Sequence, residues 1–419
     1  MSNGNFLDKI FDKFLESPPI IRNHKVLSSS FIPENLPHRN NQISDIASIL
    51  VRCLRGAPPS NIFIYGKPGS GKTCVSKLVL NKLNERIIKD SKKLKLRFAF
   101  INCKEFSTNY AVYTAISYAL QKDQYQKNTI PPTGLPTSEV FQRLANQIDK
   151  YSNSIIIVVL DEIDELIKKS GSEVLYNLTR INSNLTQSSV SIIGISNDTK
   201  FKNYLDPRVY SSLSEEEIVF TPYKANELVD ILKERTVEAL YDNVLNEGVI
   251  NKISALAARD HGDARRAIDL LRVAAELAER HGDNTIGIKY VEEAKGHIEK
   301  NIVFEVASSL PLHSKLVLAA IYSLNTNNDD QITTGQVYKL YCDYCKFNGL
   351  EVVTSRRISD YLNEQDQLGL IDTNTVSLGR YGRTKHITLT VQQNVIKQVL
   401  EKDHHTAFSL DDSIISSLS

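Results

Sequence analysis

An apolar run, Ile62-Phe63-Ile64-Tyr65, breaks into Gly66-Lys67-Pro68-Gly69-Ser70-Gly71-Lys72-Thr73 and then into the helical pattern Cys74-Val75-Ser76-Lys77-Leu78-Val79-Leu80. Strand, glycine-rich turn and helix in that order make a G-x-x-x-x-G-K-T match a phosphate-binding loop; without the flanks the same letters are a turn with a chance lysine. Glycines let successive backbone N–H groups face phosphate oxygens, and the helix start adds its partial positive charge. Lys72 is placed to reach the β- and γ-phosphates, and Thr73 to offer a hydroxyl to Mg²⁺.

Such a loop needs a sheet behind it. Strand candidates follow at residues 97–101, 155–160, 191–195 and 217–220, separated by helical patterns, notably 139–150 and 172–185. The run from Ile155 to Leu160 is apolar without interruption, as a parallel strand buried on both faces requires. The fold class is α/β, a doubly wound parallel sheet of about five strands with ligands bound at the strands' carboxyl ends. Beyond Pro222 the strands stop, and helices at 225–240, 247–260, 263–280 and 290–300 form a small all-α domain. A third unit carries helices at 334–347 and 355–368, then candidate strands around a glycine-tipped hairpin, which is the plan of a winged helix. Ahead of the sheet, a short amphipathic helix at 6–15, a Ser17-Pro18-Pro19 stop and a polar stretch with Arg22, His24 and Lys25 read as a lead-in arm. The expected division is an arm at 1–31, a base domain at 32–221, a helical domain at 222–301, a winged helix at 302–400 and a frayed tail at 401–419.

Bulk charge announces no nucleic-acid partner: 50 basic residues stand against 49 acidic ones, so such a claim rests on where the basic residues sit. Five scattered cysteines fit a reducing compartment with no disulfide framework. No apolar run approaches membrane-spanning length, and a cytoplasmic protein is expected.

Leu160-Asp161-Glu162-Ile163-Asp164 ends the buried strand. An acidic pair there is usually a solvated turn; beside a phosphate loop, Asp161 is placed to hold Mg²⁺ and Glu162 to orient or deprotonate a water. Asn197 ends the next strand, either as a plain turn residue or as a hydrogen-bonding partner of the γ-phosphate or water. In His261-Gly262-Asp263-Ala264-Arg265-Arg266, Asp263 is a helix N-cap. Arg265 then sits in the first turn, where the helix dipole disfavours a cation, which points to a task over the nucleotide. Arg266 reads as a solvated or salt-bridged neighbour. Cys342 and Cys345 lack a second pair at ligand spacing and fall on a helical pattern, so two small buried residues are the better account than zinc. Ser355, Arg356 and Arg357 open the last helix, and Arg380, Tyr381, Arg383 and Lys385 surround the hairpin. These are the two elements a winged helix sets against DNA, in the major groove and along the backbone or minor groove; a winged helix used for protein contacts is the alternative.

Several of these stretches together resemble one family. Leu36-Pro37-His38-Arg39, the phosphate loop, Leu160 to Asp164, Ile195-Ser196-Asn197-Asp198, Leu205-Asp206-Pro207-Arg208-Val209, Phe220-Thr221-Pro222-Tyr223, His261 to Asp269 and Gly379-Arg380-Tyr381-Gly382-Arg383-Thr384 are similar to the archaeal origin-recognition initiators. Those are AAA+ proteins related to the largest subunit of the eukaryotic origin recognition complex and to its helicase-loading partner. The resemblance runs from about Pro33 to Leu389 and makes the base an AAA+ ATPase domain and the all-α domain its lid.

The resemblance implies that Asn197 is the sensor 1 residue and Arg265 the sensor 2 residue. It puts Arg208 at the place of the arginine finger that acts on a neighbour's nucleotide. Pro37, His38 and Arg39 would lie near the adenine, with Tyr223 and Arg235 closing the site from the lid. Residues 108–137 take the place of an insertion that gives the ATPase domain its own grip on DNA. The segment Gln121-Lys122-Asp123-Gln124-Tyr125-Gln126-Lys127 is more polar than the family pattern.

The implied cofactors are ATP or ADP with Mg²⁺. The implied partners are double-stranded origin DNA, the replicative helicase and a paralogous initiator, with the protein cytoplasmic and at the nucleoid. ATP binding would set the angle between the domains, with slow hydrolysis as a switch. Two rivals carry the same motifs: a nucleotide-dependent transcription regulator, and an AAA+ remodeller of protein partners with an accessory winged helix.

Overall fold

A computed structural model describes residues 11–12, 18–89, 95–106, 108–121, 130–198, 200–201, 205–213, 216–326, 332–377 and 383–407. The chain divides into two compact units, Met1–Val291 and Glu292–Ser419.

The first unit is built on five parallel strands: β1 (Ile62–Gly66), β2 (Lys95–Asn102), β3 (Ser154–Asp161), β4 (Ser188–Ser196) and β5 (Glu216–Phe220), in the spatial order β2-β3-β4-β1-β5. The chain leaves β1 for the far edge, returns through β3 and β4 to β1's side, and adds β5 beyond it. The ends of β3, β4 and β1 are therefore neighbours, with Leu160 opposite Gly194 and Tyr65 opposite Ser196. Residues 155–160 are each 2% exposed or less, as the uninterrupted apolar run requires of a strand covered on both faces. Each such buried side chain contributes roughly 1.5–3 kcal/mol against leaving it in water.

Helices α1 (Asn40–Leu50), α2 (Lys72–Lys89), α3 (Asn109–Gln121), α4 (Thr137–Asp149), α5 (Ile163–Ser170), α6 (Glu173–Arg180) and α7 (Pro207–Leu213) accompany the sheet. One apolar layer joins α1 and α2 to one face through Ile46, Leu50, Val75 and Leu80. The other joins α3 to α6 to the opposite face through Val112, Leu144, Leu166 and Leu175.

Three further helices follow β5: α8 (Ala225–Ala239), α9 (Val249–Arg259) and α10 (Ala264–His281). Asp263 caps α10 as its residue type predicts, accepting from the backbone N–H of Arg265 at 2.7 Å and of Arg266 at 3.3 Å. Ile20, Ile21, Val26 and Leu27 are buried, so the segment read as a lead-in arm is part of the packed unit. Ile21 bridges Leu240, and the N–H groups of Ile20 and Ile21 donate to Glu279 Oε1 of α10 at 2.8 and 2.9 Å. The proline stop hid this, because two buried pairs are too short to show a period.

Helix α11 (Ile288–Ser309) is continuous through positions 301 and 302, where the sequence reading set a domain edge. The second unit then carries α12 (Leu312–Thr326), β6 (Ile332–Thr333), α13 (Thr334–Phe347), α14 (Ser355–Gln367), β7 (Ile371–Ser377), β8 (Arg383–Leu389) and α15 (Gln393–Lys402). Its antiparallel sheet runs β6-β8-β7, so the expected hairpin gains a third, two-residue strand. Gln365 of α14 is buried and donates to the Ser314 carbonyl of α12 at 2.8 Å, which fixes α14 against the core. Cys345 is buried in this core and Cys342 packs partly against it, both on α13. Beyond α15, Thr406 is buried and donates to the Leu400 carbonyl at 3.0 Å, while the rest of the expected tail, 408–419, lies outside the described residues. Among the described residues no helix is long and apolar enough to cross a membrane.

Candidate functional site

The loop between β1 and α2 sets the site. Gly69 and Gly71 have φ of +66° and +94°, which side-chain-bearing residues rarely adopt. There is also no room beside them: a Cβ on Gly69 would stand 1.7 Å from Asp263 Oδ1, and one on Gly71 would stand 2.9 Å from the Tyr223 hydroxyl. The loop thus touches the lid at two points, and the Ala264 N–H donates to the Gly69 carbonyl at 3.3 Å.

Lys72 is buried, and its ammonium donates to the carbonyls of Gly66 at 2.7 Å and Lys67 at 2.9 Å and to Asn197 Oδ1 at 2.8 Å. Burial pulls its pKa down to about 8 against the opposing pull of Asp161, and the charge of Arg265 adds to the depression. The Thr73 hydroxyl donates to Asp161 Oδ2 at 2.6 Å. Two hard oxygen donors meet there, a set that suits Mg²⁺. Glu162 follows in the left-handed region at φ 55°, a costly conformation for a side-chain-bearing residue. Its carboxylate accepts from Asn197 Nδ2 at 3.4 Å, while the Asn197 N–H donates to the buried Asp164 at 3.2 Å. Asn197 therefore joins the ammonium on one side to the acidic pair on the other. Strand order explains the meeting, since β4 lies between β1 and β3.

A cleft of about 950 Å³ continues from the loop, lined by Pro37, Gly69, Gly71, Thr73, Cys74 and Tyr223 together with Ile231, Arg235 and Arg265 from the lid and residues 29–36 in front. Its size suits a drug- or nucleotide-sized ligand. Arg265 is exposed and also lines the recess formed by Pro68, Lys72, Thr73, Asp161, Glu162 and Asn197. Ser70 is buried, its hydroxyl donating to the Lys67 carbonyl at 2.8 Å. Burial raises the thiol pKa of Cys74.

Of the trio expected at the adenine, only Pro37 lines the cleft. His38 meets Asp230 of α8 at 2.8 Å, and Arg39 is buried behind the loop. Arg235 lines the cleft, but its guanidinium donates to the carbonyls of Val26 at 3.1 Å and Phe31 at 3.4 Å, so it fastens the front segment to the lid. A proline-histidine-arginine run says which groups are near a site, not which way a guanidinium turns. Arg208 stands apart from this cluster, exposed on α7 and held by Asp206 at 2.8 Å. Arg266 pairs with Asp260 at 3.2 Å. Asp164 and Glu279 also contribute; for Asp164 the sequence signal is a further carboxylate just past the acidic pair.

In the second unit, Ser355, Arg356 and Arg357 are exposed at the start of α14, where the Thr354 hydroxyl accepts from the Arg357 N–H at 3.4 Å. The Arg357 guanidinium lies 5.0 Å from the centre of the Tyr361 ring. Lys385 sits on β8 opposite Thr375 and its ammonium bonds Asn363 of α14, tying hairpin to helix. Arg380 and Tyr381 lie outside the described residues, as do 122–127 of the polar segment, and Arg383 is described only as the first residue of β8.

What closes the cleft decides the class. Helices that carry an arginine to the phosphate end of a parallel-sheet P-loop site are the arrangement of AAA+ ATPases, which bind nucleotide, and the model of the AAA domain matches residues 57–197. The model of the Cdc6 AAA+ ATPase-type lid domain matches 229–296, and that of the CDC6 C terminal winged helix domain matches 305–399. An ORC1-type DNA replication protein of Pyrococcus furiosus is 50% identical over 398 residues, covering 95% of this chain and 94% of the relative. The ORC1-type DNA replication protein 1 of Methanosarcina acetivorans is 44% identical over 406 residues, 96% of each. The structure of the Aeropyrum pernix ORC1 protein in complex with DNA is similar with a TM-score of 0.83 at 40% identity, over 93% of this chain and 98% of that one. The chain belongs to the family of ORC1-type DNA replication proteins.

Proposed function

We propose that this chain is an ATP-dependent replication initiator that binds double-stranded origin DNA at the nucleoid and helps recruit or load the replicative helicase. Slow hydrolysis serves as a switch. The observation that carries the reading is the likeness, through the winged helix as well as the base and lid, to an ORC1 protein whose structure is in complex with DNA. A paralogous initiator is a further expected partner.

In the nucleotide site Lys72 draws charge from the β- and γ-phosphates, Asn197 and Arg265 read the γ-phosphate, and Glu162 orients the attacking water. Thr73 and Asp161 would hold Mg²⁺, which when bound would neutralise charge on the phosphates. Arg208 serves as the arginine finger on a neighbour's nucleotide, a role that rests on the family resemblance. The domain edges near 221 and 301 remain part of the same proposal. On DNA, Ser355, Arg356 and Arg357 enter the major groove, and the hairpin residues Arg380, Tyr381, Arg383 and Lys385 grip the backbone or minor groove.

Genome-wide mapping of bound sites beside nascent-strand start sites tests this reading. Sites coinciding with start sites and showing A/T-rich inverted repeats support it. Binding confined to promoters would instead make the chain a transcription regulator. ATP turnover stimulated by a protein with no specific footprint would make it a remodeller.

A further inference from the structure

Arg39 is 2% exposed at the N-cap of α1, yet it carries a full charge. A guanidinium taken out of water is costly unless its donors are satisfied. Its donors go to main-chain carbonyls: Nε to Ser70 at 2.8 Å, Nη2 to Thr221 at 2.7 Å and Nη1 to His38 at 3.2 Å. Each carbonyl belongs to a different segment. Ser70 lies inside the phosphate loop, Thr221 in the junction between β5 and α8, and His38 in the segment in front of the cleft.

The guanidinium is also stacked 3.7 Å from the centre of the Tyr223 ring. Tyr223 in turn reaches both ways. Its hydroxyl fills the space beside Gly71, and its N–H donates to the Gly262 carbonyl at 3.2 Å, one residue before the cap that starts Arg265's helix. The path from loop to lid arginine is thus Ser70 and Gly71, then Arg39 on Tyr223, then Gly262 and Asp263.

We propose that Arg39 is a positioning residue that couples the shape of the phosphate loop to the seating of the lid, and so of Arg265. The proposal rests on the nucleotide-switch reading above and deepens it. Arginine is the residue type this needs: its rigid planar fork holds carbonyls of separate segments in a fixed geometry while its flat face stacks on a ring, and a lysine's ammonium has neither the fixed fork nor a flat face.

Hydrogen–deuterium exchange of the full chain, with ADP, with a non-hydrolysable ATP analogue and without nucleotide, tests the coupling. Affinity for a fluorescent ADP is measured alongside. In the wild-type chain nucleotide should slow exchange both in the loop, 66–73, and in the lid stretches 221–228 and 262–268. R39K should bind nucleotide within about fivefold of wild type, the scale of one lost hydrogen bond. It should keep the loop protection and lose the lid protection at saturating nucleotide. Tyr223→Leu, which leaves the three carbonyls in place and removes the stacking ring, should weaken the same lid response and decides the matter if R39K does not fold.

Full lid protection in R39K, or a loss of affinity with the lid response at saturation intact, overturns the proposal. A wild-type chain that binds no nucleotide would bring down the parent reading as well, and so is told apart from failure of the coupling alone.

Discussion

At Asn197 three neighbours meet: Lys72 donates to its side-chain oxygen, Glu162 accepts from its amide, and Asp164 accepts from its backbone N–H. Asp164 is buried and accepts that N–H, which makes it a holder of Asn197's position. Asp164→Asn keeps an acceptor there and should turn ATP over near the wild-type rate. Asp164→Ala should lower kcat roughly five- to tenfold with little change in KM. Equal kcat in the two variants would show that the bond does not position Asn197. Glu162→Gln should bind ATP normally and lose turnover by at least about a hundredfold, the usual worth of a general base; weakened binding would mean the carboxylate holds the ligand instead.

At this scale the sequence spoke clearly where chemistry and strand ends coincide, as at Asp161 and Glu162. It spoke weakly at Asn197, because an asparagine ending a strand has many uses and strand order is not written in any one strand. The partners of Arg39 are not legible in the sequence, since its bonds go to carbonyls that every residue type carries.

Among the elements, α14 and the β7–β8 hairpin define the candidate DNA surface. Changing Arg383 to Ala should lower affinity for many duplexes alike and shrink the slope of log K against log salt by about one phosphate contact. Arg357→Ala should instead narrow the gap between origin and random duplexes, by about 1–3 kcal/mol if it reads a guanine. A salt slope unmoved by the first change, or equal losses on both duplexes in the second, would remove that element from the interface.

Glu279 gives a stability test. It accepts two backbone N–H groups, of Ile20 and Ile21, so Glu279→Ala should cost about 1–3 kcal/mol in urea unfolding. No change would mean that seam is not held by its cap. The long periodic elements were legible from their spacing. The two-residue β6 and the seam at Ile20 and Ile21 were not, because neither is long enough to show a period and both exist only through distant partners.

For the whole molecule, two compact units predict two unfolding events, of which only the first unit's should answer to nucleotide. Nucleotide at about a hundred times its Kd adds about 2.7 kcal/mol to the unit that binds it. Calorimetry should therefore show two endotherms, with ATP moving one and leaving the other in place; a single transition that shifts as a whole would show that the units unfold together. The architecture was readable because a switch from alternating strands and helices to helices alone, and then to a helix pair with a hairpin, is written in the order of periods. Helix α11 runs on through 301, and composition carries no mark of that continuity.

The seam that joins Ile20 and Ile21 to Leu240 and Glu279 also says where the chain does not tolerate cutting. A version trimmed to begin at residue 32 would look complete from its motifs. It would nonetheless bare an apolar strip on the lid and remove residues 29–31 from the wall of the cleft. A protease nicking behind the seam would do the same damage without touching a single motif, and resistance of that peptide bond region to digestion is a simple measure of whether a preparation is intact.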